Sequence, residues 1–243
     1  MFDFKIKLSG LVVRMLSRHA YTKDFCSGYI TDDDGADITA DVTDEDIRNE
    51  AQAAEFPVSE EYAESICLYR SIAEQLPEYN RFVIHGATIS YGGKAYLFTA
   101  PSGTGKTTHI KLWFKHLKGR VDIVNGDKPI FEINDSGINA YGTPYAGKER
   151  WQKNVSAPLG AVCIIKQAKV NKIYKVNPME YLPVILHQVY MPKDKNAAQK
   201  TLELFGVLLR AVPFYVLECD MSEEALKTSF EALTGEKYLS EGK

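Results

Sequence analysis

Apolar residues at Phe2, Phe4, Ile6 and Leu8 alternate with polar ones, the period-two signature of a half-buried strand, and a second strand is predicted around Leu11 to Met15 after Ser9-Gly10. Together they predict a short antiparallel sheet. A helical period follows Ser59: Tyr62, Ile66, Tyr69, Ala73 and Leu76 fall on one face, Ser59 is a good N-cap, Glu60-Glu61 complement the helix dipole, and Pro77 ends the run. Between these stretches, residues 31–55 are crowded with Asp and Glu against Arg48 alone. That composition predicts a solvated loop and a frayed helix start. The run Asp32-Asp33-Asp34-Gly35 is not a calcium loop, because placing Gly35 sixth puts Ile30 where the first ligand belongs.

From Arg81 to Ala100 the pattern turns β-rich, with Phe82-Val83-Ile84, then Ala87 to Tyr91, a Gly92-Gly93 hairpin turn, and Lys94 to Thr99. Helical spacing returns at Ile110, Trp113, Phe114 and Leu117, closed by Gly119. Further strands are predicted at Val121–Val124, Ile130–Ile133, Ile138–Tyr141, Ala161–Ile165, Ile173–Val176 and Phe214–Leu217, and helices at about 197–210 and 222–234. The expected organisation is a small α+β lobe over residues 1–78 and an α/β domain over 79–243. Its expected sheet is mixed and partly antiparallel around the helix that follows Thr99.

Composition narrows the partners. With 29 basic and 32 acidic residues the formal charge is −3, which gives no general attraction to nucleic acid or to an anionic membrane surface. Cys26, Cys67, Cys163 and Cys219 form no C-x-x-C pair and predict reduced, buried thiols. The apolar stretch Leu8 to Leu16 is short and interrupted by Arg14, too little for a signal peptide or a span, so a cytoplasmic protein is expected.

The segment Ala100-Pro101-Ser102-Gly103-Thr104-Gly105-Lys106-Thr107-Thr108 lies between a predicted strand and a predicted helix. A polyphosphate presents closely spaced anionic oxygens, and a loop that wraps it must turn sharply and offer backbone N–H groups. Gly103 and Gly105 permit such a turn. The positive end of the following helix would face the phosphates, Lys106 would reach the β and γ oxygens, and the Thr107 hydroxyl would meet Mg²⁺. Ser102, Gly103, Thr104, Gly105, Lys106, Thr107 and Thr108 are therefore the candidate residues for ATP or another nucleoside triphosphate. The full phosphate-loop pattern would have glycine where this chain has Ala100.

Three segments in order resemble the HPr kinase/phosphorylase and phosphoenolpyruvate carboxykinase superfamily. Residues 102–108 look like the kinase-1 loop of ATP-dependent carboxykinases. Val83-Ile84-His85-Gly86 is similar to the V-H-G segment of HPr kinases. Ile123-Val124-Asn125-Gly126-Asp127 matches a strand ending in aspartate, often two in succession, where this chain has Lys128 second. The likeness spans roughly residues 80 to 150. It implies a phosphoenolpyruvate carboxykinase-like fold, a role for Asp127 on the acceptor hydroxyl or the metal, and a place for His85 near the phosphates. Lys148 and Arg150 are candidates for charge stabilisation or plain surface cations, and His109 is expected to be a packing or surface residue rather than a catalyst.

These expectations converge on an ATP- and Mg²⁺-dependent phosphotransferase, with Asp127, His85 and Lys106 as candidate catalytic residues and Thr107 and Asp127 as candidate metal ligands. The acceptor would be a hydroxyl of a protein, a peptide or a small molecule. Resemblance to small kinases of peptide-maturation systems favours a serine of a precursor peptide. A non-catalytic nucleotide sensor and a carboxykinase are the alternatives, and self-association is left open.

Overall fold

The computed structural model describes residues 1–54, 56–101 and 103–239. Glu55, Ser102 and residues 240–243 lie outside them, and with Ser102 goes one of the candidate phosphate-loop residues. The chain divides into two compact units, Met1–Arg81 with Met191–Thr201, and Phe82–Tyr190 with Leu202–Lys243.

In the first unit β1 (Phe2–Leu8) and β2 (Leu11–Ser17) pair antiparallel, as the alternation of Phe2, Phe4, Ile6 and Leu8 predicts. The expectation of a purely antiparallel sheet is incomplete, because β3 (Ile38–Ala40) adds to β2 in parallel. Helix α1 (Ala20–Phe25) has no counterpart in the sequence pattern, and inside the acidic stretch the expected frayed helix start is a ten-residue helix, α2 (Asp44–Ala53). A capping box explains α2: the Thr43 hydroxyl accepts from the Asp46 N–H at 3.1 Å, and the Asp46 carboxylate accepts from the Thr43 N–H at 2.9 Å. Asp44, Glu45 and Asp46 in its first turn favour the dipole, so the acidity that suggested a loop stabilises a helix start. Ser59 caps α3 (Glu60–Gln75) as expected, through the Tyr62 N–H.

The second unit is built on a mixed sheet in the order β4-β8-β9-β10-β6-β5-β7, with β12 against β10 and β11 against β12. Its strands are β4 (Arg81–Val83), β5 (Ala87–Tyr91), β6 (Lys94–Thr99), β7 (Val121–Asn125), β8 (Ile130–Asn134), β9 (Gly137–Tyr141), β10 (Ser156–Gln167), β11 (Lys172–Val176) and β12 (Phe214–Cys219). Gly92 and Gly93, at φ 57° and 76°, take the left-handed dihedrals of a two-residue hairpin turn and set β5 antiparallel to β6. β10 runs parallel to β6 and to β12, and it is longer than the apolar core Ala161–Ile165 alone indicates.

Strand alternation sorts side chains onto two faces, and both faces are covered. Ala95, Leu97, Val162, Ile164, Phe214 and Val216 join one core with Leu204, Phe205 and Leu208 of α6 (Lys195–Ala211). Tyr96, Phe98, Ala161, Cys163, Leu217 and Cys219 join the other, with Ile110 and Trp113 of α4 (Lys106–His116) and Leu226 and Phe230 of α7 (Glu223–Thr234). Trp113 is fully buried, its ring 5.8 Å from that of Phe98 and 5.6 Å from that of Phe230. Fully burying one such side chain contributes about 2–3 kcal/mol, so α4 is anchored firmly by one face. The short α5 (Leu182–Leu186) was not expected from the sequence. All four cysteines are buried free thiols. Among the described residues no helix is long and apolar enough to cross a membrane.

Candidate functional site

Strand β6 leads through Ala100, Pro101, Gly103, Thr104 and Gly105 directly into α4. Gly103 and Gly105 sit at φ 78° and 103°, and a Cβ at either would meet nothing within 4 Å. Their requirement is conformational rather than spatial: the left-handed region costs an L-residue roughly 1–2 kcal/mol. Ala100 does not share that conformation, which explains how the chain does without glycine there. The first helical bond runs from the His109 N–H to the Gly105 carbonyl at 2.9 Å. The N–H groups of Lys106, Thr107 and Thr108 therefore have no acceptor within the helix, and they carry its positive end. Thr104 donates its hydroxyl to the Pro101 carbonyl at 2.8 Å, bracing the turn.

Lys106, half-buried, donates from Nζ to the Ala100 carbonyl at 2.8 Å. Burial lowers its pKa, Asp127 acts against that, and Lys128 adds to it. The carboxylate and the second ammonium thus lie within electrostatic reach of the helix start.

Backbone bonds bring Asp127 there. The Gly86 N–H donates to the Asp127 carbonyl at 2.8 Å, stitching Ile84-His85-Gly86 to Gly126-Asp127-Lys128. Gly86 also lets this segment lie close against β6, since a Cβ would come within 2.7 Å of Leu97 Cδ1 and 2.9 Å of the Phe98 carbonyl. Asn125, fully buried at the end of β7, accepts on Oδ1 from the N–H groups of Asp127 at 2.8 Å and Lys128 at 2.7 Å. Its amide donates to the Thr143 carbonyl and hydroxyl, both at 3.0 Å. This closed turn fixes where the Asp127 carboxyl projects. On its other side Gly147, at φ 74°, leaves room that a Cβ would fill 3.1 Å from Asp127 Cβ.

Both Asp127 oxygens have partners. Oδ1 lies 3.1 Å from His85 Nε2, and Oδ2 accepts from the Lys128 ammonium. Burial pushes the Asp127 carboxyl up, but the His85 hydrogen bond and the Lys128 charge outweigh it and bring the pKa down to about 2. The group is an anion at any physiological pH. His85 Nδ1 faces Gln188 Oε1 at 2.9 Å, and the His85 carbonyl accepts from Thr99 at 3.0 Å.

The structure thus brings together Lys106, Asp127 and His85 from segments scattered over the unit. Lys148 and Arg150 are exposed on the 147–151 stretch. His109 is buried, with Nε2 3.0 Å from Ser229 Oγ, and packs as expected. Gln188, Thr143 and the turn-closing role of Asn125 escaped the sequence reading. Only Asn125-Gly126-Asp127, a turn-forming string, carried a local signal. Among the described residues no cluster of three His, Cys, Asp or Glu could hold a metal by itself.

No family model and no curated protein matches the sequence. Among solved structures, the chain is similar to an Hpr(Ser) kinase/phosphatase from Coxiella burnetii, at 9% identity over 53% of this chain and 91% of that one, with a TM-score of 0.29. What the site can do is therefore read from its own residues.

Proposed function

We propose that this chain binds a nucleoside triphosphate, ATP by its sequence resemblance, at the turn formed by residues 100–108, and transfers the γ-phosphoryl group to a hydroxyl, foremost a serine of a protein or peptide. The observation that carries the reading is the ionised Asp127, held by His85 and Lys128 within reach of Lys106 at the glycine-turned start of α4. Phosphoryl transfer needs little covalent help from protein. It needs a clamp on the phosphates and a group that aligns the nucleophile, and this constellation provides both.

The turn and the Lys106 ammonium would grip the β and γ oxygens. Asp127 would accept the hydrogen bond of the incoming hydroxyl and so direct its lone pair at the γ phosphorus. As the new P–O bond forms, the bond to the β-phosphate oxygen breaks, the diphosphate leaves, and the hydroxyl proton passes to the carboxylate or to solvent. A pKa of about 2 makes Asp127 a weak base and a strong orienter, which suits a loose transition state. The residues also fit Mg²⁺, which takes one carboxylate, a hydroxyl and phosphate oxygens; Asp127 and Thr107 would hold it. When bound, the ion would neutralise charge on the β- and γ-phosphates.

The test is Mg²⁺-dependent transfer of γ-labelled phosphate to seryl peptides, proteins and free serine, beside calorimetric binding of a non-hydrolysable ATP analogue. Binding with transfer is the expected result. Binding without transfer to any acceptor would establish the nucleotide-sensor alternative. No binding at all would overturn both.

A further inference from the structure

We propose that Gln188 is a positioning residue of this site: it holds the His85 ring so that Nε2–H points at Asp127. The inference rests on reading His85 and Asp127 as the transfer site. It concerns a residue a hundred positions away that no motif in the sequence marks.

The placement of Gln188 is built into the backbone. Residues 83–85 and 188–190 run side by side: the His85 N–H donates to the Gln188 carbonyl at 2.7 Å, the Tyr190 N–H donates to the Val83 carbonyl at 3.0 Å, and Ile84 bridges Val189. The turn that delivers Gln188 closes α5, its N–H donating to the Ile185 carbonyl at 3.0 Å. Ile185 itself is wholly buried in the core, so this turn has little freedom. The Gln188 side chain is 5% exposed and its amide oxygen lies 2.9 Å from His85 Nδ1.

The chemistry of the two partners decides the ring's orientation. An ionised carboxylate only accepts, so Nε2 must carry a proton toward Asp127. A carboxamide can accept or donate, and the O/N assignment follows from the network around it, so Gln188 satisfies Nδ1 in either state. An apolar side chain there would leave Nδ1 without this partner and the ring free to turn. Orientation of a histidine by a hydrogen bond to its second nitrogen is the general device by which such rings are held to task.

Two substitutions separate hydrogen bonding from packing. Gln188→Met keeps the bulk without the hydrogen bond; Gln188→Glu keeps the shape and an acceptor. In full-length protein labelled with ¹⁵N in histidine rings and held at one neutral pH, the Nε2–H of His85, assigned with His85→Ala, should give a hydrogen-bonded proton resonance. We expect that signal in wild type and Gln188→Glu and its loss in Gln188→Met. Turnover with the phosphoryl acceptor should fall roughly 10- to 100-fold in Gln188→Met, with nucleotide KM within about twofold, and be largely restored in Gln188→Glu. Should the signal persist in Gln188→Met, or should both variants lose turnover equally while remaining folded by circular dichroism, Gln188 does not position His85. The resonance needs no nucleotide: if it behaves as expected while wild type transfers no phosphate, the phosphotransfer reading fails and the positioning stands.

Discussion

Under the proposed function Lys106 and Asp127 have different jobs, and these are separable by experiment. Lys106→Ala removes an ammonium at the start of α4 and should weaken ATP binding at least tenfold by calorimetry. Asp127→Asn is expected to bind ATP nearly as wild type while losing transfer by roughly 10²- to 10⁴-fold. His109 makes a prediction independent of function. Burial holds its imidazole down, from the ordinary value near 6.5 to about 4. Between those values the unfolded chain takes up a proton that the folded chain does not, so this contribution to stability is full above pH 6.5 and is lost as pH falls toward 4. Urea titrations should find about 2 kcal/mol less stability at pH 5 than at pH 7 from this group, a slope that His109→Gln flattens. Residue by residue, the sequence named the chemistry it could see in short strings: Lys106 inside a glycine turn, His85 before Gly86, Asp127 after Asn125-Gly126. It could not mark Gln188, because a lone glutamine has no periodic or motif signature and acquires its meaning only from a neighbour in space.

At the scale of elements, the turn into α4 and the crossing at Gly86 respond differently to the same change. Gly103→Ala and Gly105→Ala meet open space and should cost about 1–2 kcal/mol each through backbone strain alone, with a larger proportional loss of nucleotide affinity than of stability. Gly86→Ala meets backbone and should cost about 1–3 kcal/mol by displacing β6 from the His85 segment, detectable as a lower urea midpoint with an unchanged slope. Strongly periodic elements were legible, α3, α4 and the hairpin of β5 and β6 above all, because a full apolar stripe or alternation leaves one solution. The capped helix α2 was legible only as a frayed start: its acidic first turn reads as solvated charge until Thr43 and Asp46 are seen to satisfy each other's N–H groups. Nor was α5, whose five residues are too few to display a period.

For the molecule as a whole, ligand binding and folding are linked. If the proposed site binds nucleotide, ligand at a hundred times its dissociation constant should add about 2.7 kcal/mol to the unit that binds it, raising its midpoint by roughly 5–10 °C in a thermal melt, an increase cut to about half or less in Lys106→Ala. The alternation of residues between two cores was readable strand by strand, yet the order of the strands was not, since nothing local tells β10 that β6 and β12 are its neighbours.

The stitching of residues 83–85 to residues 188–190 has a bearing on biosynthesis. A ribosome releases the glycine turn and the aspartate well before it releases the segment that steadies the histidine, 103 positions downstream of that ring. Nascent or prematurely terminated chains that stop short of residue 188 would therefore lack the partner of His85 Nδ1.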